Sequence, residues 1–320
     1  MSHSSAPEAP PRSAVLSTFG SLATASALAI WLVSCAGPSP VAAPTAAATP
    51  TPTPPPRVVI VSIDGLRPDG LQQEMAAATA AGGMSNTARL MASGAYTWKA
   101  QTITPSNTLP SHTSMITGYL PRDHKITWDD YLPANGTLAV PTVFLAARRA
   151  GRRTAMVAGK EKFNTFRDTG EVDTFVGGPR SDDDVASQAI SQIYMGVDLV
   201  FVHLPDVDLS GHASTWMSVP YADRIKTADR ALGRIMDAIP SNTTLILTAD
   251  HGGHGNNHGT TDARDMSIPW IIAGPRIRQG YALTGDVVTM DTAATAAYVL
   301  GVALPATASG KPVLEAFAVR

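Results

Sequence analysis

Cysteine is nearly absent: there is one in 320 residues, at position 35. A chain with a single thiol forms no internal disulfide and cannot build a cysteine-rich zinc fold. Charge is scarce as well, at 16% of residues, and balanced, with 24 basic against 26 acidic side chains. The basic excess of a nucleic-acid scaffold is missing. Between Arg12 and Arg57 there is no charged residue at all. Hydrophobic residues, by contrast, make up 44%. That is too apolar for a chain disordered throughout, and enough for one large domain or two small ones.

The charge-free stretch divides by composition. Residues 14–33 (AVLSTFGSLATASALAIWLV) form an apolar run that fits a membrane-spanning helix or the apolar part of an export signal. Leu32-Val33-Ser34-Cys35 resembles the bacterial lipobox, in which small residues precede a cysteine that is lipidated and becomes the mature N-terminus. An uncleaved anchor ending in a free cysteine is the alternative. The Pro/Ala/Thr tract that reaches residue 56 has no periodic apolar pattern, and its prolines favour an extended, solvated chain. The expected organisation is a lipoprotein-type signal over residues 1–34, a tether over 35–56 and a catalytic domain over 57–320. The expected location is the bacterial cell envelope, with Cys35 as the lipidation site and the membrane as a partner.

From Arg57 to Ile63 the chain is β-branched and apolar, as in a strand buried on both faces. Similar runs recur at 154–158, 198–203, 243–248 and 268–273, and helical segments fall at 71–81, 86–93, 140–150, 183–195 and 221–239. In the last, Ile225, Ala228, Leu232, Ile235 and Ile239 repeat at helical spacing and read as core packing. Strands alternating with helices predict an α/β fold: a mostly parallel central sheet with helices on both faces. Such sheets bind ligands beyond the C-terminal ends of their strands.

The chemistry collects at those ends. The first strand runs into Asp64-Gly65, the third of these runs leads through Asp206 and Asp208 to His212, and the fourth leads into Asp250-His251, with His254 and His258 close behind. Five of the eight histidines lie between positions 203 and 258. One such residue at a strand end is ordinary structure; three Asp-bearing ends, two with histidines, are not. Carboxylates gathered in one crevice repel unless cations bind them. Three aspartates and three histidines suit two divalent ions, zinc before manganese or iron, with calcium a poor fit. Two ions about 4 Å apart clamp an in-line displacement at phosphorus. Thr108 falls where a loop enters a helix, with Pro110 in the first turn, so its hydroxyl sits beside free backbone N–H groups. A plain helix cap is the competing reading of that threonine.

Four motifs then occur in order: Val61-Ser-Ile-Asp64-Gly-Leu-Arg-Pro68, Thr108-Leu-Pro-Ser-His112 with Thr117-Gly118, Asp208-x-x-Gly211-His212, and Thr248-Ala-Asp250-His251-Gly-Gly253. Together they resemble the alkaline phosphatase superfamily, most nearly the type I phosphodiesterase/nucleotide pyrophosphatase family, from about Val58 to the C-terminus. Residues 291–301, followed by Gly310-Lys-Pro-Val, resemble the closing helix of that superfamily. The resemblance implies Thr108 as nucleophile and metal ligand. It implies one zinc on Asp64, Asp250, His251 and Thr108, and the other on Asp208, His212 and His258. Asp206 then becomes a structural or supporting carboxylate. His258 lies much nearer to His251 than the family's last ligand does, and His254 competes for the role.

The implied activity is hydrolysis of a small phosphate ester, of phosphodiester or nucleotide pyrophosphate type, through a phosphothreonine intermediate. Phosphonate hydrolases, phosphomonoesterases and phosphomutases share the ligand set, and a non-catalytic envelope lipoprotein is the rival from another class. A sulfatase is disfavoured, because its Cys/Ser-x-Pro-x-Arg setting is missing. One position departs from the family, which places an asparagine about 21 residues after the nucleophile; here it is Asp129. A carboxylate facing a phosphate oxygen repels it, so the sequence predicts a preference for diesters over monoesters, relaxed by Asp129→Asn. Lys160, with Lys125 and Lys162, is a candidate substrate contact.

Overall fold

The structure is a computed structural model that describes residue 37 and residues 54–319. The signal, Cys35 and nearly all of the tether lie outside the described residues. Among the described residues no helix is long and apolar enough to cross a membrane.

The chain enters through β1 (Arg57–Ile63), α1 (Pro68–Ala80), α2 (Asn86–Ala92), β2 (Gly94–Gln101) and α3 (Thr108–Thr117). Next come α4 (Pro121–His124), α5 (Val143–Arg149), β3 (Thr154–Ala158), α6 (Asn164–Arg167), β4 (Thr174–Val176) and α7 (Asp182–Tyr194). It closes with β5 (Leu199–Leu204), α8 (Asp206–Ser214), α9 (Val219–Ala238), β6 (Thr243–Thr248), α10 (Ala263–Met266), β7 (Ser267–Ala273), β8 (Tyr281–Ala282) and α11 (Asp291–Leu300).

The eight strands form one sheet in the order β4-β3-β5-β1-β6-β7-β2-β8. The pairs β4/β3, β3/β5, β5/β1 and β1/β6 are parallel, whereas β7 runs antiparallel to both β6 and β2. The expected mostly parallel α/β sheet is therefore present, with one reversed strand. The reversal has a local cause. Only the one-turn helix α10 lies between β6 and β7, so no crossover carries the chain back to the far end of the sheet.

Every residue of β1 after Arg57, and every residue of β3, β5 and β6, is buried, as strands covered on both faces must be. One group of helices packs around α9 (α1, α2, α7 and α8), and another brings together α3, α5 and α11. The stripe Ile225, Ala228, Leu232 and Ile235 on α9 is fully in the core, with Ile239 packed at its margin. The long strand β2 and the short strands β4 and β8 were not legible in the sequence pattern. In β2, Lys99 and Gln101 are exposed and the register shifts between Thr97 and Ala100.

Candidate metal centre

Strand register brings the carboxylates together. Ser62 of β1 pairs level with His203 of β5 and Thr248 of β6, so the residues that follow these strands share one rim of the sheet. Gly65 turns the chain there with φ 70°, and a Cβ on it would lie 2.9 Å from Asp208 Cα. Only glycine combines that backbone angle with so close an approach. Its N–H donates to Asp250 Oδ1 (3.1 Å), and its carbonyl accepts from Trp216 Nε1 (2.9 Å) and Tyr221 Oη (3.0 Å).

Each of the three carboxylates has one anchored oxygen and one free oxygen. Asp64 Oδ2 accepts from His203 Nε2 (2.7 Å) and lies 2.7 Å from Lys160 Nζ. Asp208 Oδ2 accepts from Lys160 Nζ at 2.5 Å. Asp250 Oδ1 accepts from the N–H groups of Gly65 (3.1 Å) and His251 (3.0 Å). The remaining oxygens, Asp64 Oδ1, Asp208 Oδ1 and Asp250 Oδ2, are buried without any hydrogen-bond partner. One orphaned buried carboxylate oxygen is costly; three around one centre could hold a cation.

The histidines match them. Ring Nδ1 of His251 donates to the Gly252 carbonyl (2.7 Å), that of His212 to Asn256 (2.8 Å) and that of His258 to Ser106 (2.9 Å). A carbonyl only accepts, so the proton is on Nδ1 and each Nε2 keeps its lone pair. Those nitrogens face the orphaned oxygens. His251 Nε2 lies 3.4 Å from Asp64 Oδ1 and 3.2 Å from Asp250 Oδ2. His212 and His258 Nε2 lie 3.5 and 3.8 Å from Asp208 Oδ1. The donor atoms of Asp208, His212 and His258 fall within 4.8 Å of one another, and so do those of Asp64, Asp208 and His251. This mixed carboxylate and imidazole set fits divalent metal ions. Asp250 joins the second group through His251, while Asp208 reaches into both.

Electrostatics push the ligand candidates in different directions. Burial alone would raise the Asp64 carboxyl, but Lys160 and then His203 outweigh it and hold it well below the usual carboxylate range. Burial, then the charge of Asp64, raises Asp250. Burial, with the neighbouring His251 next in effect, pushes His258 down to about 4, leaving a neutral imidazole.

Thr108 is the first residue of α3, and Asn107 holds the cap position without a side-chain cap bond. The Thr108 hydroxyl is fully buried and lies 3.4 Å from His251 Nε2, facing the centre rather than a backbone N–H. All ten residues of α3 are buried, so its polar side chains pair internally. The Asp250 carbonyl accepts from the hydroxyls of both Ser111 and Thr102. His112 Nδ1 donates to the Thr108 carbonyl (2.8 Å), and its Nε2 accepts from Ser62 Oγ (2.9 Å).

Several expected roles move. Lys160, expected as a substrate contact, lines the cleft and sits between Asp64 and Asp208; these two carboxylates outweigh the effect of burial and hold its ammonium above the usual lysine range. Lys125 donates to the Arg122 carbonyl on an exposed turn and is not among the residues that line the cleft. His254 Nδ1 is 2.6 Å from Asp265 Oδ1 and serves the loop that carries His258. Asp206 exchanges helix-start N–H bonds with Asp182. His203 and His112, which orient Asp64 and Thr108, were missed as supports. Sequence spacing showed His203 near a strand end but gave no partner for it.

A cleft of about 580 Å³ opens over the centre, with Thr108, Asp208, His212 and His258 among its walls together with Asp129, Tyr131, Lys160 and Lys162. A profile of the family described as type I phosphodiesterase / nucleotide pyrophosphatase matches residues 58–265. GPI ethanolamine phosphate transferase 1 of Aspergillus fumigatus is 25% identical over 268 residues, 68% of this chain and 26% of that protein. A phosphopentomutase of Clostridium botulinum is 32% identical over 122 residues, 37% of this chain and 29% of that protein. The chain thus spans under a third of the length of these curated relatives.

Among solved structures, murine ectonucleotide pyrophosphatase/phosphodiesterase 5 superposes with a TM-score of 0.67 at 14% identity, covering 82% of this chain and 100% of that one. An inactive threonine-to-alanine variant of the murine protein has been solved in complex with AMP. The 2-O GAG sulfatase BT1596 superposes with a TM-score of 0.65 at 14% identity, over 82% of this chain and 74% of that one. Matched over the strand ends that carry its aspartates and histidines, the chain belongs to the type I phosphodiesterase/nucleotide pyrophosphatase family of the alkaline phosphatase superfamily.

Proposed function

We propose that the chain is a metal-dependent hydrolase of small phosphate esters, of phosphodiester or nucleotide pyrophosphate type, with Thr108 as nucleophile. The observation that carries this reading is the ring of three orphaned carboxylate oxygens and three free imidazole nitrogens beside the Thr108 hydroxyl. Asp64, Asp250 and His251 would hold one ion with Thr108, and Asp208, His212 and His258 the other. When bound, two such ions supply Lewis-acid charge that favours the threonine alkoxide and neutralises the transferring phosphoryl group.

The chain's own residues set the rest. α3 aims the Thr108 oxygen, and His112 beneath it fixes the backbone at that residue. Thr108 Oγ attacks phosphorus, the bond to the leaving oxygen breaks, and a phosphothreonine remains. Water entering the open cleft then cleaves the phosphothreonine and restores the hydroxyl. The inactive threonine-to-alanine variant of the murine relative supports the role of the threonine, and its AMP supports a nucleotide-sized substrate. A second reading, transfer to a substrate hydroxyl rather than to water, has support in the phosphopentomutase match.

The same proposal places the enzyme on the bacterial envelope, exported and lipid-anchored through Cys35, on the strength of the apolar run and lipobox-like end in the sequence. A panel of chromogenic mono- and diesters, assayed on the purified full chain with and without chelator, tests the activity. Chelator-sensitive hydrolysis supports it, and no turnover of any ester with zinc restored refutes it.

A further inference from the structure

The charge of Asp129 has a partner. Asp129 Oδ2 accepts from Lys162 Nζ at 2.7 Å, and Oδ1 accepts from the Leu109 N–H at 2.7 Å. Leu109 is the second residue of α3, so this N–H is one of the donors that a helix start leaves unpaired. It lies next in the chain to Thr108, and Thr108, Asp129 and Lys162 line the same cleft. Asp129 thus already occupies a donor that an incoming anion would otherwise take. Lys162 gives one N–H to Asp129, and an ammonium has three. Lys160 lines the same cleft, but Asp64 and Asp208 already take two of its three N–H groups.

We propose that Asp129 and Lys162 act as one charge-neutral unit that determines which phosphate esters the cleft accepts. Asp129 fixes the start of α3 and aims the Lys162 ammonium, and Lys162 donates to the non-bridging oxygens of the transferring phosphoryl group. The proposal rests on the phosphate-ester reading above. A monoester dianion carries about one more negative charge than a diester, so it gains more from an ammonium and loses more to a bare carboxylate. With both present the two effects offset. The diester bias that the sequence predicts from Asp129 alone is therefore cancelled in the intact pair.

The test compares kcat/KM for p-nitrophenyl phosphate and bis(p-nitrophenyl) phosphate in four zinc-loaded full chains: wild type, Lys162→Met, Asp129→Asn and the double variant. Lys162→Met should lower the monoester-to-diester ratio about tenfold, and Asp129→Asn should raise it about tenfold. That is the size expected if roughly a third of a unit-charge interaction at 4 Å survives screening. The double variant, which lacks both charges, should return to within about threefold of wild type, because the two opposite effects then cancel. Lys162→Gln replaces the methionine variant if that one misfolds. Single variants that leave the ratio unmoved, or move it the same way, overturn the proposal.

Calorimetric titration of the same proteins with inorganic phosphate separates this from the broader reading. Affinity should fall in Lys162→Met, rise in Asp129→Asn and recover in the double variant. If the wild type hydrolyses neither ester, the hydrolase reading fails and the phosphate titration alone judges the pair. Equal phosphate affinity in all four proteins then overturns it.

Discussion

Lys160 Nζ lies 2.5 Å from Asp208 Oδ2, which leaves Asp208 Oδ1 facing the imidazoles of His212 and His258. The same ammonium reaches Asp64 Oδ2 at 2.7 Å, so one largely shielded cation ties together carboxylates from two strand ends.

Removing that cation should destabilise the protein. Lys160→Met leaves two buried carboxylates short of a partner, a change worth about 3 kcal/mol when half of a buried pair is deleted. Lys160→Arg keeps the charge and should cost less. Urea unfolding with chelator present measures both. Equal midpoints for wild type and Lys160→Met would show that the ammonium is not structural and would leave it to serve as a substrate contact.

Thr108 separates chemistry from folding. Its hydroxyl bonds no backbone N–H, and the residue before it holds the cap position. Thr108→Ala should therefore change stability by less than about 1 kcal/mol while lowering turnover by several orders of magnitude. Thr108→Ser should keep measurable activity. Near-normal turnover in Thr108→Ala would remove the nucleophile from the mechanism.

Asp182 supplies a pH dependence remote from the catalytic step. It begins α7, fully buried against Asp206, which begins α8; Asp206 also lies near Arg224, and Asp183 adjoins. Burial first, then the charge of Asp206, pushes its carboxyl up to about 8. The unfolded chain releases that proton near pH 4, the folded chain only near pH 8. Between those values the folded state binds more protons, so this group's stabilisation falls as pH rises. Asp182→Asn should gain more than about 1 kcal/mol relative to wild type between pH 5 and pH 8, read from denaturant midpoints. A difference independent of pH would contradict the assignment.

Much of this was legible in sequence because the relevant signals are local. The β-branched runs of β1, β3 and β6 and the apolar stripe of α9 are periodic patterns, and Asp64, Asp208 and Asp250 sit directly after or near strand ends. What escaped depends on pairing in space. The direction of β7 follows from the absence of a crossover helix, and β2 has exposed Lys99 and Gln101 where a buried strand would be apolar. The place of Lys160 is set by two carboxylates 96 and 48 residues away in sequence. His254 and His258, four residues apart, look equivalent until Asp265 is seen to take one of them and Asp208 to face the other. Asp129 read as a bare charge because Lys162, 33 residues on, gives no sign of pairing with it.

The most direct test is a metal count on the purified full chain, by inductively coupled plasma mass spectrometry after zinc loading and desalting. Wild type should carry close to two zinc ions per chain, His258→Ala and Asp208→Ala should fall toward one, and His254→Ala should stay near two. A wild-type chain that carries no metal, or a loss of zinc in His254→Ala but not in His258→Ala, would contradict the centre described here.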